Sequence, residues 1–261
     1  MLSLAAILAL LGSPSSASAQ EPGTTQPEAS TARAASHQSA DGFLFKAPRV
    51  MLGLRAGFNF ARAGSGIFDL ATTELTLDRA DFGSFMVAGD LSVNLTGPLD
   101  LVLGAGYAST SKQSESRDYV DQDDLPITQR TTFTQAPVTA MLRLYLAQRG
   151  RQVGRFAWIP RSFAPYIGAG GGWSHFTFRQ SGSFVDFVDL SVFDDTLEST
   201  GWTPLGLLNA GADYSVSPRV VLNTDVRYQF GSGTLDRTFV DFNDGLDLNG
   251  LQVSMGVRLR F

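Results

Sequence analysis

The sequence predicts an all-β protein: an eight-stranded antiparallel transmembrane β-barrel with short turns at one end, one of them long, and long loops at the other. Three observations predict it. Eight segments of about ten residues alternate between apolar and polar or small residues, the period of a strand whose two faces meet different surroundings. Tight turns and connections of about twenty residues follow one another along the chain, which is the loop asymmetry of a membrane barrel. The apolar sets contain no Lys, Arg, Asp or Glu, and the charges fall on the opposite face.

Composition narrows the field. The 261 residues are 43% hydrophobic, carry a formal charge of −5 and include no Cys, so disulfide scaffolds and Cys-ligated zinc or iron–sulfur sites are excluded. Two His leave little for a His-rich metal site, and no cofactor or metal is expected. The acidic balance argues against a nucleic-acid partner. The longest apolar run, 2–11, is about half the ~20 residues a spanning helix needs.

Residues 1–19 read as a secretory signal peptide: an apolar run, then Ala17, Ser18 and Ala19 as a small-x-small cleavage site, although no Lys or Arg precedes the run. Residues 20–47, rich in Ser, Thr, Ala, Pro and Gln, bury too little apolar surface to offset their ordering entropy and read as a disordered periplasmic leader. The barrel is expected over 48–261.

The first strand, 50–60, sets Leu52, Leu54, Ala56, Phe58 and Phe60 against Arg55 and Asn59. The second, 85–96, sets Phe85, Val87, Leu91 and Val93 against Asp90, Ser92 and Asn94; the third, 99–107, sets Leu101, Leu103 and Tyr107 against Asp100 and Val102. The fourth, 132–146, sets Val138, Leu142 and Leu144 against Gln135, Thr139, Arg143 and Tyr145. Pro137 inside it has no N–H for the ladder, which predicts a bulge. In the fifth, 165–178, four glycines blur the parity; Phe176 and Phe178 suggest that even positions face out, turning Trp173 and His175 inward. The sixth, 208–216, places Asn209 and Asp213 opposite Leu208 and Tyr214. The seventh, 220–230, places Asp225 and Arg227 opposite Val226 and Tyr228, and the eighth, 251–261, places Arg258 and Arg260 opposite Val257, Leu259 and Phe261.

A sheet in lipid must close so that no backbone group is left unpaired, and its outer face must be apolar. The polar face is then the lumen, holding Arg55, Asp90, Asp100, Arg143, Asp213, Asp225, Arg227, Arg258 and Arg260. An eight-stranded interior has room for little but side chains, so these charges are expected to pair and plug the barrel; a selective pore lined by them is the alternative. A soluble barrel with an apolar cavity would reverse the two faces. Sparse charges of mixed sign, aromatics near strand ends (Phe58, Phe60, Tyr107, Tyr145, Tyr214, Tyr228, Phe230, Phe261) and one-sided long loops favour the membrane. The long connections 62–84, 109–131, 179–203 and 231–248 are each net acidic. This reads as a solvated surface or as one that recruits divalent cations beside lipopolysaccharide. The connection 147–163 carries Arg149, Arg151, Arg155 and Arg161 and no acid.

Several words carry a resemblance. Pro165-Tyr166-Ile167-Gly168-Ala169-Gly170-Gly171-Gly172-Trp173, Ala210-Gly211-Ala212-Asp213-Tyr214, Leu222-Asn223-Thr224-Asp225-Val226-Arg227-Tyr228 and the terminal Phe261 resemble the small outer-membrane barrels of Gram-negative bacteria, most of all the outer-membrane protein W (OmpW) family. The resemblance covers 48–261. It implies an eight-stranded barrel in the outer membrane, in contact with lipid and lipopolysaccharide. Periplasmic chaperones and the barrel-assembly machinery would handle it during biogenesis, with Val257, Leu259 and Phe261 as the assembly signal. It also implies passage of small hydrophobic solutes through a lateral opening in the wall. The long leader and the arginine-rich connection depart from the family.

Two apolar loop words, Phe184-Val185-Asp186-Phe187 and Phe239-Val240-Asp241-Phe242, read either as strands that continue above the membrane and pack together, or as an apolar vestibule of Phe184, Phe187, Phe239 and Phe242. No enzyme is expected. His37 lies in the leader, and Ser174 next to His175 points to the opposite strand face. The glycines at 168 and 170–172 lack the Lys-Ser/Thr and helix of a phosphate loop. The expected function is channel- or transporter-like for small hydrophobic solutes; the alternative is a closed structural or adhesion barrel that presents its loops.

Overall fold

A computed structural model describes residues 44–185, 191–235 and 245–261; the expected signal peptide and most of the expected leader lie outside them. Among the described residues, twelve strands and one α-helix follow in order: β1 (Val50–Ala61), α1 (Gly66–Glu74), a 3-10 turn (Arg79–Phe82), β2 (Ser84–Thr96), β3 (Leu99–Val120), β4 (Pro126–Tyr145), β5 (Gly150–Val153), β6 (Ala157–Pro160), β7 (Phe163–Val185), β8 (Val192–Ser215), β9 (Val220–Phe230), β10 (Ser232–Gly233), β11 (Leu246–Asp247) and β12 (Gly250–Arg260). Eight of these, β1, β2, β3, β4, β7, β8, β9 and β12, form one closed antiparallel barrel. The ring closes where β1 pairs β12, with Leu54 opposite Val257 and Leu52 opposite Leu259. Neighbours in sequence are neighbours in the wall, so no crossover is needed.

The two faces are sorted as a membrane requires. Leu52, Leu54, Val87, Leu103, Leu142, Leu144, Leu208, Leu222, Val226, Met255 and Val257 are exposed on the outside. Arg55, Asp90, Asp100, Arg143, Asp213, Asp225, Arg227, Arg258 and Arg260 are all buried within. A water-soluble barrel would show the reverse, so this inversion makes the protein a transmembrane barrel.

Three expectations are corrected. First, 109–131 is not a loop for most of its length, and in 179–203 the reading of strands that continue above the membrane holds out to Val185 and Val192. β3 and β4 run on as a hairpin paired from Ser109↔Thr134 to Glu115↔Thr128, and β7 and β8 pair out to Val185↔Val192. Second, no bulge lies at Pro137. The β3–β4 register is the same at Ala105↔Val138 and Ala108↔Gln135, and only the pairing between them lapses, because proline brings no N–H. Third, odd positions of β7 face out: Trp173 is 61% exposed, while Phe176 and Phe178 are 1% and 0% exposed. Glycine has no side chain to declare a face, and the phenylalanines turn inward because the interior above the membrane band is apolar.

That apolar interior is the cap, which includes a helix the strand periodicity does not show. Ile67, Phe68 and Ala71 of α1, with Leu75, Leu77 and Phe82 after it, pack on Phe133, Phe176, Phe178, Leu246 and Leu248. Phe68 meets Phe82, Phe133 and Phe178 edge-on at centroid distances of 4.6, 5.6 and 5.7 Å. A helix of nine residues is too short to stand alone in water, so its stability comes from this packing.

Candidate functional site: filled lumen, capped mouth, basic base

The strands carry the lumen charges into one network. Arg258 is its hub: Nη1 donates to Asp213 Oδ1 at 2.8 Å and Nε lies 3.3 Å from Asp90. Arg55 lies 3.6 Å from the same Asp90, and Arg227 lies 3.4 Å from Asp225. Tyr145 and Tyr166 donate their hydroxyls to Asp213 at 2.8 Å and Asp225 at 2.9 Å. Asn209 donates to Asp225, and Asn223 to Asp213. Tyr145 therefore belongs to the lumen and not to an interfacial girdle. The other seven girdle aromatics are exposed on the outside.

Two arginines depart from simple pairing. The Arg143 guanidinium has no hydrogen-bond partner among the described residues; it lies over the Tyr166 ring at 4.3 Å. Arg260 donates to Ser215 Oγ and lies over Trp158. Asp100 is held partly from outside the strands: Arg149 of the long connection donates to it at 3.0 Å, while Asn94 of β2 donates at 2.8 Å. Sequence reasoning missed Arg149, Tyr166, Asn209 and Asn223 as members. Parity already places Asn209 and Asn223 on the polar face, whereas Arg149 carries no periodic signal.

Space inside is scarce. Behind the lapsed pairing at Gly106 and Tyr107 lies a chamber of about 20 Å³, bordered by Arg55, Arg227, Gln135, Gln229 and Gln252. That is room for about one water. On the lipid side of the same stretch, the small residues Ala56, Gly89 and Ala105 leave an apolar groove of about 800 Å³. The glycines of β7 serve close approach: a Cβ on Gly172 would collide with the Val138 carbonyl oxygen.

Above the cap, a pocket of about 190 Å³ lies between α1 and the two hairpins, walled by Ile67, Leu70, Leu75, Ile127, Phe184 and Leu197, with Gln129, Gln180 and Glu74 as polar members. Of the four vestibule phenylalanines, Phe184 lines this pocket and stacks on Phe193 at 6.0 Å. Phe187, Phe239 and Phe242 lie outside the described residues. His175 sits on the outer face, its Nε2 3.2 Å from Thr200 Oγ1 and its ring against Trp202 at 5.2 Å, while Ser174 is buried on the other face. Near the 3-10 turn, the backbone N–H of Asp78 donates to Asp81 at 3.0 Å and holds that carboxyl below the usual range, with Lys112 at 3.3 Å adding to it.

At the opposite end the arginine-rich connection folds as the β5–β6 hairpin, and Leu44 exchanges backbone hydrogen bonds with Trp158 at its edge. Val257, Leu259 and Phe261 are exposed on the outside of the closing strand, and the Phe261 N–H donates to Val50 O at 2.9 Å.

No family model matches the chain, and no curated protein matches it. Among solved structures it is similar to a major outer membrane protein from Thermus thermophilus (12% identity, TM-score 0.47, covering 83% of this chain and 100% of that one). It is also similar to Neisserial surface protein A (15%, 0.44, 81% and 96%) and to the outer membrane protein OprG from Pseudomonas aeruginosa (14%, 0.43, 84% and 99%). The barrel itself is established by its own strand register.

Proposed function

We propose that the protein is a bacterial outer-membrane barrel that handles small apolar solutes at its outer end and conducts no aqueous current. The pocket beside α1 carries this reading. Its volume of about 190 Å³ and its Ile, Leu and Phe walls suit a molecule the size of one aromatic ring; a comparable apolar cavity of about 150 Å³ holds benzene. The filled lumen supports the second half. The cap packs α1 against β4 and β7 above the lipid band, and behind the lapsed seam lies a one-water chamber faced by two arginines, an environment hostile to apolar passage.

The second reading is a closed structural or adhesion barrel. It is favoured by the two long hairpins and by the exposed acids they raise, Asp118, Asp123 and Asp124 on one and Asp194 and Asp195 on the other. Titration of the reconstituted protein with a monoaromatic fluorophore separates the two. Binding that is lost in Ala71→Trp, which fills the pocket, supports the first reading. Equal binding by the wild type and A71W, or none by the wild type, leaves the second. Planar-bilayer recordings should show no discrete conductance steps; regular openings would overturn the closed lumen.

A further inference from the structure

The arginine-rich hairpin finds no use in that reading, yet it builds a site. Its base and the β2–β3 turn enclose an open cleft of about 790 Å³, bordered by Asn94, Pro98, Leu146, Arg149, Arg151 and Gln152. Arg151 and Gln148 also border a second cleft of about 290 Å³, which carries Arg161. Arg149 is partly spent on Asp100. The side chains of Arg151 and Arg161 are exposed, with no ion pair or hydrogen bond among the described residues. Among the described residues, no carboxylate borders either cleft.

The exposed cations at this end stand without exposed acids among the described residues, whereas those at the other end are interspersed with Asp118, Asp123, Asp124, Asp194 and Asp195. Lys46, Arg49, Arg151, Arg155, Arg161 and Arg219 are all exposed here. The cleft is also continuous with the lipid-facing wall. Leu146, 60% exposed, is the last member of the outward set that begins with Val138, Leu142 and Leu144, and it borders the cleft. Phe163, Tyr214 and Phe261 are exposed at the same end of the wall, where interfacial aromatics mark the headgroup level. Phe156 and Val153, exposed near the hairpin tip, add apolar contact. Guanidinium groups and side-chain amides at headgroup depth, with an aliphatic edge running into the hydrocarbon, match one ligand chemistry.

We propose that these two clefts, which meet at Arg151, together bind the headgroup of an anionic phospholipid in the adjoining leaflet, with Arg151 and Arg161 on the phosphate and Leu146 against the first methylenes of the acyl chain. The proposal rests on the outer-membrane reading above. Phosphate recognition by exposed arginines is electrostatic, worth about fivefold in affinity for each basic residue near a charged lipid surface, and it weakens as salt rises.

The test uses the whole chain folded into vesicles of three parts phosphatidylethanolamine to one part phosphatidylglycerol, then released for native mass spectrometry of retained lipid. The wild type should retain phosphatidylglycerol well above its share of the vesicle. Arg151→Gln with Arg161→Gln should lower that preference by about 25-fold, while R130Q, at an exposed arginine of the opposite end, should leave it unchanged. Retention of the two lipids in their vesicle ratio by the wild type overturns the proposal without any variant. So does displacement of the retained lipid by soluble glycerol phosphate as effectively as by phosphatidylglycerol. Failure of the chain to enter vesicles at all would instead count against the membrane reading on which the proposal stands.

Discussion

Replacing Arg258 with Met tests the lumen network at its most connected point. Arg258 is 1% exposed and is shared between Asp213 and Asp90. Methionine fills much of the volume but leaves two carboxylates facing each other without their common cation. Removing one partner of a buried pair costs about 3–5 kcal/mol. The lower end applies here, because Asp213 keeps hydrogen bonds from Tyr145 and Asn223 and Asp90 keeps Arg55 at 3.6 Å. With a urea dependence of about 2 kcal/mol per molar, a loss of about 3 kcal/mol moves the unfolding midpoint down by about 1.5 M. The measurement is urea unfolding in lipid vesicles, followed by the exposed Trp173 and Trp202 and by the migration of unheated protein on gels. D213N/R258M should unfold at a higher urea concentration than R258M alone, because it removes one stranded carboxylate. A shift in R258M of less than about 0.3 M would show that water, not Arg258, neutralises the two carboxylates.

Three further outcomes follow from the cap, the wall and the 3-10 turn. Phe68→Ala should cost about 3 kcal/mol of local stability, seen as lost amide protection across α1 while the barrel strands stay protected; uniform loss of protection would mean that the cap and the barrel unfold together. Gly172→Val should block barrel assembly, since even its Cβ meets the Val138 carbonyl, and wild-type folding yield would refute the close packing of β4 and β7. Asp81, with its folded pKa depressed first by the Asp78 N–H, should steady the 3-10 turn at neutral pH and lose that contribution only as pH falls through the depressed value. A carboxyl titration of Asp81 at or above the ordinary 3.8 would contradict this.

Period-two alternation in 50–60, 85–96, 220–230 and 251–261 was enough to read strands, their faces and the lumen membership of Arg55, Asp90, Asp225, Arg227, Arg258 and Arg260. The reason is local: a strand's geometry fixes which side chains share a side, and the total absence of charge from one set says that this side meets hydrocarbon. Elsewhere the surroundings are set by distant chain. The side of β7 follows from its register against β4 and β8, because glycines bear no mark of either face. Phe176 and Phe178 break the rule of polar residues inside because the interior above the lipid band is filled by α1, whose helix is stable only when packed there. Arg149 reaches Asp100, Arg143 lies over Tyr166 without an ion pair among the described residues although Asp100 is its cross-strand neighbour, and the β5–β6 hairpin forms a cleft; each depends on residues far apart in sequence meeting at one end of the barrel. Alternation thus announces two environments, and only closure of the ring, with what fills its ends, decides which groups meet inside them.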